Sequence, residues 1–168
     1  MKYLFWNTHK NNDINDVLSE LIVENDISMV CLAEYTAQAD ELINKLSVQK
    51  VYIQKYGSCS ERIKMFGKTE NIQYRTDSDH AIICIINDKD ILCCVHLNSK
   101  IYSEHEEHRE ILIEQIIKDI QEVENELKTE NTLVVGDFNI NPYNSSLINA
   151  RYFHGIRNST RERGGYTE

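Results

Sequence analysis

The sequence predicts an α/β fold with mixed sheet pairing. Three observations carry this. Short apolar runs suited to buried strands alternate with amphipathic helical stretches. Two continuously apolar runs, Ala81–Ile86 and Ile91–Leu97, flank the polar turn Asn87–Asp90 and read as a hairpin. A final apolar run, Thr132–Val135, follows the longest helical pattern.

The elements follow in order. Tyr3–Trp6 is a short apolar run, read as a buried strand. Asp13 is placed to cap a helix in which Ile14, Val17, Leu18, Leu21 and Ile22 recur at helical spacing. Ile27–Ala33 reads as a second buried strand and Ala37–Leu46 as a second helix. Val51–Tyr56 reads as a strand, and shorter strand pieces fall around Ile63–Phe66 and Ile72–Tyr74. Both hairpin arms are apolar at every position, so both faces of that sheet are expected to be covered. The longest helix runs from about Ser103 to Leu127, opening on a Ser-x-x-Glu pattern that ends at Glu106. Ile113, Ile116, Ile117, Ile120, Val123 and Leu127 form its apolar stripe. His105 and His108 on this helix sit among Glu104, Glu106 and Glu107, a pattern read as a solvated face. Gly136 is expected to stop the last strand. Ser145–Ala150 reads as a short helix.

Composition bounds the organisation. The chain has 168 residues, 41% hydrophobic and 27% charged, with six glycines and one proline. A chain of this size buries about 68–70% of its unfolded surface, enough for one core. One domain is expected over 1–150, followed by a polar tail, or the start of a missing portion, over 151–168. Disorder and collagen-like structure are disfavoured. The longest apolar run, Ala81–Ile86, falls far short of the roughly 20 residues that span a bilayer. Five cysteines without C-x-x-C spacing argue against a zinc site or a disulfide framework and fit a reducing compartment. These features point to a soluble, cytoplasmic chain without a membrane partner. Acids outnumber bases 27 to 18, for a net charge of -9, which argues against nonspecific coating of nucleic acid. A local metal site would still hold phosphate against that charge.

Four strands end in polar residues suited to one site. Gly136-Asp137-Phe138-Asn139 places a carboxylate and a carboxamide two apart after a buried strand, where α/β sheets gather ligands. It also fits a plain turn in which Asp and Asn bond their own backbone. Glu34 ends a second strand, and Asn7 ends the first. Both also suit helix or turn ends. His96, in Val95-His96-Leu97-Asn98-Ser99, ends a fourth strand and is either a core histidine or a site residue. Convergence of the four is more specific than any one alone. Hard cations such as Mg²⁺ take oxygen donors of this kind together with substrate phosphate.

Taken in series, Trp6-Asn7, Leu32-Ala33-Glu34, His96-Leu97-Asn98-Ser99 and Gly136-Asp137-Phe138-Asn139 resemble the endonuclease/exonuclease/phosphatase superfamily, in family order over about Lys2 to Tyr143. The resemblance implies a four-layer α/β sandwich with mixed sheets. It implies hydrolysis of phosphoester bonds with Mg²⁺ or Mn²⁺, most of all by an endonuclease or exonuclease acting on nucleic acid. By resemblance, Asn7 and Glu34 are the metal residues, Asp137 activates water, and Asn139 holds phosphate. His96 lies by the scissile bond, and Asn98 supports the substrate. The family closes with a Ser-Asp-His element, and none follows Asn139 here. The fold is therefore expected to lack the usual C-terminal closing strands. Ser78-Asp79-His80 occurs out of order, before the hairpin. His80, or nearby Arg75, is a candidate phosphate contact there, and a turn over Asp77–Asp79 is the simpler reading. The alternatives are a catalytically impaired module that binds phosphate or nucleic acid, or the front part of a longer or split enzyme. Self-association or a complementing partner chain would accompany the latter.

Overall fold

A computed structural model describes residues 1–98 and 106–140, with side chains described for 1–98 and 110–140. The expected cap at Ser103, His105, the Ser145–Ala150 helix and the tail over 151–168 lie outside the described residues, as does the side chain of His108.

The element order is β1 (Tyr3–Asn7), α1 (Asn15–Glu24), β2 (Met29–Ala33), α2 (Ala39–Val48), β3 (Gln54–Lys55), β4 (Ile63–Gly67), β5 (Ile72–Asp77), β6 (Ala81–Ile86), β7 (Asp90–His96), α3 (Glu106–Leu127) and β8 (Thr132–Asp137). The strands form two four-stranded mixed sheets, ordered β1-β2-β4-β3 and β5-β6-β7-β8. Within them β1 and β2 are parallel, as are β7 and β8, and the other pairs are antiparallel.

Strand alternation assigns the layers. Val30 and Leu32 of β2 pack under α1 and α2, with Leu18, Ile22, Leu42, Leu46 and Phe66. Ile83 and Ile85 of β6 and Cys93 and Val95 of β7 pack under α3, against Ile113, Ile116, Ile120 and Val123. The opposite faces meet between the sheets. There Met29, Cys31 and Met65 contact Ile82, Cys84, Leu92 and Cys94. The result is the expected four-layer α/β sandwich, and it explains why β2 and β6 are buried at every position. Four of the five cysteines are buried, and Cys59 is exposed. Among the described residues, no helix is long and apolar enough to cross a membrane.

Four local expectations are corrected. Asp13 does not cap α1. Ile14 occupies that position without a side-chain cap, and the Asp13 N–H donates to Asn11 Oδ1 at 2.9 Å. Val17 is exposed while Asn15 and Ser19 are buried, so the inward face of α1 is rotated from the purely apolar stripe. Asn15 is satisfied there, because Tyr35 Oη donates to its Oδ1 at 2.7 Å. The strand expected at Val51–Tyr56 contracts to Gln54–Lys55, since the Val51 N–H donates back to Leu46 O and closes α2. Finally, Gly136 does not stop β8, which runs through it to Asp137. A Cβ at Gly136 would lie 2.2 Å from Val95 O, so glycine lets β8 approach β7 closely at this pair.

Candidate active site

The two parallel strand pairs deliver four strand ends to one edge of the sandwich. Asn7 is registered with Ala33, just before Glu34, and His96 with Asp137. These residues line one cleft of about 620 Å³, together with Asn98 and Asn139. Asn7 and Asp137 are 130 positions apart in sequence, and Asn7 Nδ2 donates to Asp137 Oδ2 at 2.9 Å. The same amide reaches Glu34 Oε1 at 3.5 Å, so it bridges the two carboxylates. The Asn7 Oδ1 accepts from the His9 N–H at 3.0 Å.

Asn139 is held on both sides. Its N–H donates to Asp137 Oδ1 at 3.1 Å, and its Nδ2 donates to Leu97 O at 2.8 Å. Its φ of 49° suits an asparagine, which tolerates the left-handed region. Glu34 has a φ of 52°, which is unusual for a glutamate. Three contacts hold it there. The Glu34 N–H donates to Arg62 O at 3.0 Å, and Glu34 O accepts from Lys10 N–H at 3.1 Å and from Thr8 Oγ1 at 2.8 Å.

His96 is buried, with Nε2 at 3.4 Å from Glu34 Oε1. Its Nδ1 is buried without a hydrogen-bond partner among the described residues. Burial pushes its pKa below the ordinary value, and the Arg62 charge adds to that. Glu34 and Asp137 pull the other way. The imidazole is thus disposed to be neutral near pH 7.

Six of the seven residues singled out from the sequence therefore share the cleft. His80 is the exception. Its carbonyl accepts from the His96 N–H at 2.9 Å, but among the described residues it does not line the cleft. Arg75 is also elsewhere, paired with Glu126 of α3 at 2.8 Å. The arginine in the cleft is Arg62, which sequence reading missed. Lys10, Tyr35 and Glu61 line it too. No local pattern marks Arg62, because it reaches the cleft through a loop held by residues far along the chain.

The donor set suits a hard divalent cation. Glu34 and Asp137 supply carboxylate oxygens, and Asn7 Oδ1 has a second lone pair beyond the one used by His9. Among the described residues, no group of three or more His, Cys, Asp or Glu side chains is placed to enclose a metal. An open site completed by water and phosphate is the arrangement Mg²⁺ favours.

Fold and cleft together describe a four-layer α/β sandwich with polar strand ends gathered at one edge, and this fold is shared with several solved structures. Among solved structures, it is similar to the human Nocturnin catalytic domain with a bound sulfate anion. The TM-score is 0.56 at 14% identity, over 81% of this chain and 61% of that one. It is similar to Danio rerio TDP2 complexed with a single-strand DNA product, with a TM-score of 0.55 at 15% identity over 88% and 63% of the two chains. It is also similar to the 3′ phosphatase NExo from Neisseria bound to a product DNA hairpin, with a TM-score of 0.55 at 16% identity over 87% and 60%. The chain thus spans about three-fifths of the length of these neighbours. No protein-family model and no curated protein matches the sequence.

Proposed function

We propose that this chain is a Mg²⁺- or Mn²⁺-dependent phosphoesterase that hydrolyses phosphodiester bonds of nucleic acid. The observation that carries the reading is the bridged pair of carboxylates, Glu34 and Asp137, joined by Asn7 at the strand-end edge. Carboxylate oxygens gathered around one amide offer the oxygen donors that a hard cation takes together with phosphate. Neighbours of the same fold that hold a DNA product support a nucleic-acid substrate.

The residues divide the work. Glu34 and Asn7 would hold the metal, which when bound offsets charge gathering on the phosphate oxygens. Asp137 Oδ accepts a proton from water as the water oxygen bonds to phosphorus. The P–O ester bond breaks, and the leaving oxygen takes its proton from solvent. Asn139, fixed by Leu97 O, aligns the phosphate beside Asp137. Neutral His96 braces Glu34 and faces the reacting group. Asn98 supports the substrate side of the cleft.

The test is cleavage of single-stranded and duplex DNA, with and without Mg²⁺, by the full chain and by Glu34→Gln and Asp137→Asn. Each variant is expected to lose about 10²-fold or more in kcat, in line with the removal of one strong transition-state contact. Chelation should abolish turnover. Equal turnover by the wild type and both variants, or turnover that ignores chelator, overturns the reading. Phosphate binding without any cleavage would leave the impaired binding module in its place.

A further inference from the structure

One segment near the cleft is held with more donors and acceptors than a connecting loop needs. Residues Ser58–Arg62 lead into β4, and five successive backbone N–H groups in this region are captured by side chains. The Cys59 N–H donates to Asp77 Oδ2 at 2.7 Å, and the Ser60 N–H to Asp77 Oδ1 at 3.3 Å. The Glu61 N–H donates to Asp79 Oδ1 at 2.9 Å. The Arg62 and Ile63 N–H groups donate to Ser60 Oγ at 3.2 and 3.1 Å. Ser58 Oγ adds a fourth bond to the two aspartates, donating to Asp77 Oδ1 at 2.6 Å.

The clamp crosses between sheets. Asp77 is the last residue of β5 in the second sheet, while the loop enters β4 of the first. The residue before Asp77 is anchored as well, since Thr76 Oγ1 donates to Asp119 Oδ2 of α3 at 2.9 Å. Asp77 therefore reaches the loop from a fixed platform.

What the loop delivers is Arg62. Its guanidinium is half-buried in the cleft and donates to the Asn98 carboxamide. Among the described residues, no carboxylate lies within 4.0 Å of it, although Glu34 and Asp137 line the same cleft. A guanidinium held in place by a neutral amide, with a planar fork of donors, is suited to a phosphate. Its carbonyl also receives the Glu34 N–H, so the same residue fixes the backbone of one carboxylate.

We propose that Arg62 is a further phosphate contact in the cleft, the cationic one beside Asn139, and that Asp77, reaching across from the other sheet, is the residue that positions it. This rests on the phosphoester reading of the cleft and extends it to two residues that the sequence pattern did not assign. Asp77 touches no substrate and acts through the loop. The Ser78-Asp79-His80 stretch then has a role that is neither that of a displaced catalytic element nor that of a bare turn: Asp79 is the second tooth of the clamp.

The experiment is calorimetric titration of the full chain with inorganic phosphate in the presence of Mg²⁺, which needs no turnover. Arg62→Ala and Asp77→Ala should each weaken binding by about 10- to 100-fold, as loss of a charge-assisted contact does. The double variant should lose clearly less than the sum of the two single losses, because what Asp77 chiefly holds in place is the Arg62 guanidinium. Asp77→Asn keeps an acceptor for the Ser58 hydroxyl and should fall between wild type and Asp77→Ala. Should Asp77→Ala fail to fold, the decision passes to Asp77→Asn. Wild-type affinity in the Asp77 variant that folds overturns the proposal, as do additive losses in the double variant. Failure of the wild type to bind phosphate overturns it too. A wild type that binds phosphate yet cleaves no DNA refutes the enzyme reading and leaves this inference standing.

Discussion

Replacing Gly136 with alanine should unfold the site from its edge. The new Cβ would lie 2.2 Å from Val95 O, 2.8 Å from Val95 C and 2.9 Å from Val95 Cα. The first contact is more than about 1 Å inside ordinary van der Waals separation. All three atoms are backbone, so no side chain can swing aside. The strand must recede, which breaks the β7–β8 ladder around the Val95 and Gly136 pair. Two or three hydrogen bonds lost at about 1 kcal/mol each, with about 1–3 kcal/mol of residual overpacking, give roughly 3–6 kcal/mol. For a chain of this length that is a drop in Tm of roughly 6–24 °C. The Leu97 N–H to Asp137 O bond, at 3.0 Å, lies one step beyond the clash, so Asp137 should lose its alignment too. The assay is urea unfolding of Gly136→Ala beside Gly57→Ala. A Cβ at Gly57 meets nothing within 4 Å, and its φ is not positive, so that variant should stay within about 0.5 kcal/mol of wild type or gain slightly. A Gly136→Ala protein as stable as Gly57→Ala would refute the close-approach argument.

Two further predictions follow from the same edge. Thr8 is buried, and its hydroxyl donates to Ala33 O at 3.1 Å and to Glu34 O at 2.8 Å. Thr8→Val should therefore cost about 1–2 kcal/mol in urea unfolding, and Thr8→Ser should recover most of it; equal losses in both would show that packing, not the hydroxyl, matters. His96 is held below its ordinary pKa by burial and by Arg62, with His80 in the same sense and Glu34 and Asp137 opposing. The unfolded chain then binds the proton first, so stability is full above about pH 6.5 and falls as pH drops from there through the folded value. Urea midpoints measured from pH 8 to pH 5.5 should decline over that window in the wild type and stay flatter in His96→Gln. A rising wild-type midpoint toward pH 5.5 would reverse the assigned direction.

The legible parts of the sequence are those where one physical cause dominates. β2, β6 and β7 read clearly because burial on both faces demands apolar residues at nearly every position. The hairpin turn was equally plain, and Asn87 and Asp88 take the positive φ values, 51° and 60°, that such a turn requires. The inward face of α1 departs from the apolar stripe because Asn15 is buried through tertiary hydrogen bonds and Ser19 by donating back to Asp16 O within the helix, neither of which hydrophobic periodicity records. In the site, Asn7, Glu34, His96, Asp137 and Asn139 were legible because each sits at or just past a strand end on the same edge. Arg62 was not, since the loop that carries it is held by Asp77, at the end of β5, and by Asp79, between β5 and β6.

The two sheets share no strand pairing among the described residues, yet the site is built across them. Asn7 and Glu34 come from the first sheet and His96, Asp137 and Asn139 from the second. Their spacing is therefore set by how the inter-sheet layer packs. That layer combines sulfur-bearing and aliphatic side chains with Tyr56 and the rings of Tyr3, Phe5 and Tyr74 at its border, and Cys31 Sγ of β2 lies 2.7 Å from Cys94 Sγ of β7. Cys94 is two residues before His96 on the same strand, and Cys31 is three before Glu34. Small side chains at these points let the sheets close until the Asn7 amide reaches Asp137. A bulkier residue there would separate the carboxylates before it unfolded the chain, because close-packed interiors transmit strain rather than absorb it. The acidic overall charge fits this design. Under the proposed function, attraction for phosphate would be concentrated where the sheets meet, in Arg62, Lys10 and a place for a cation, and not spread over the surface.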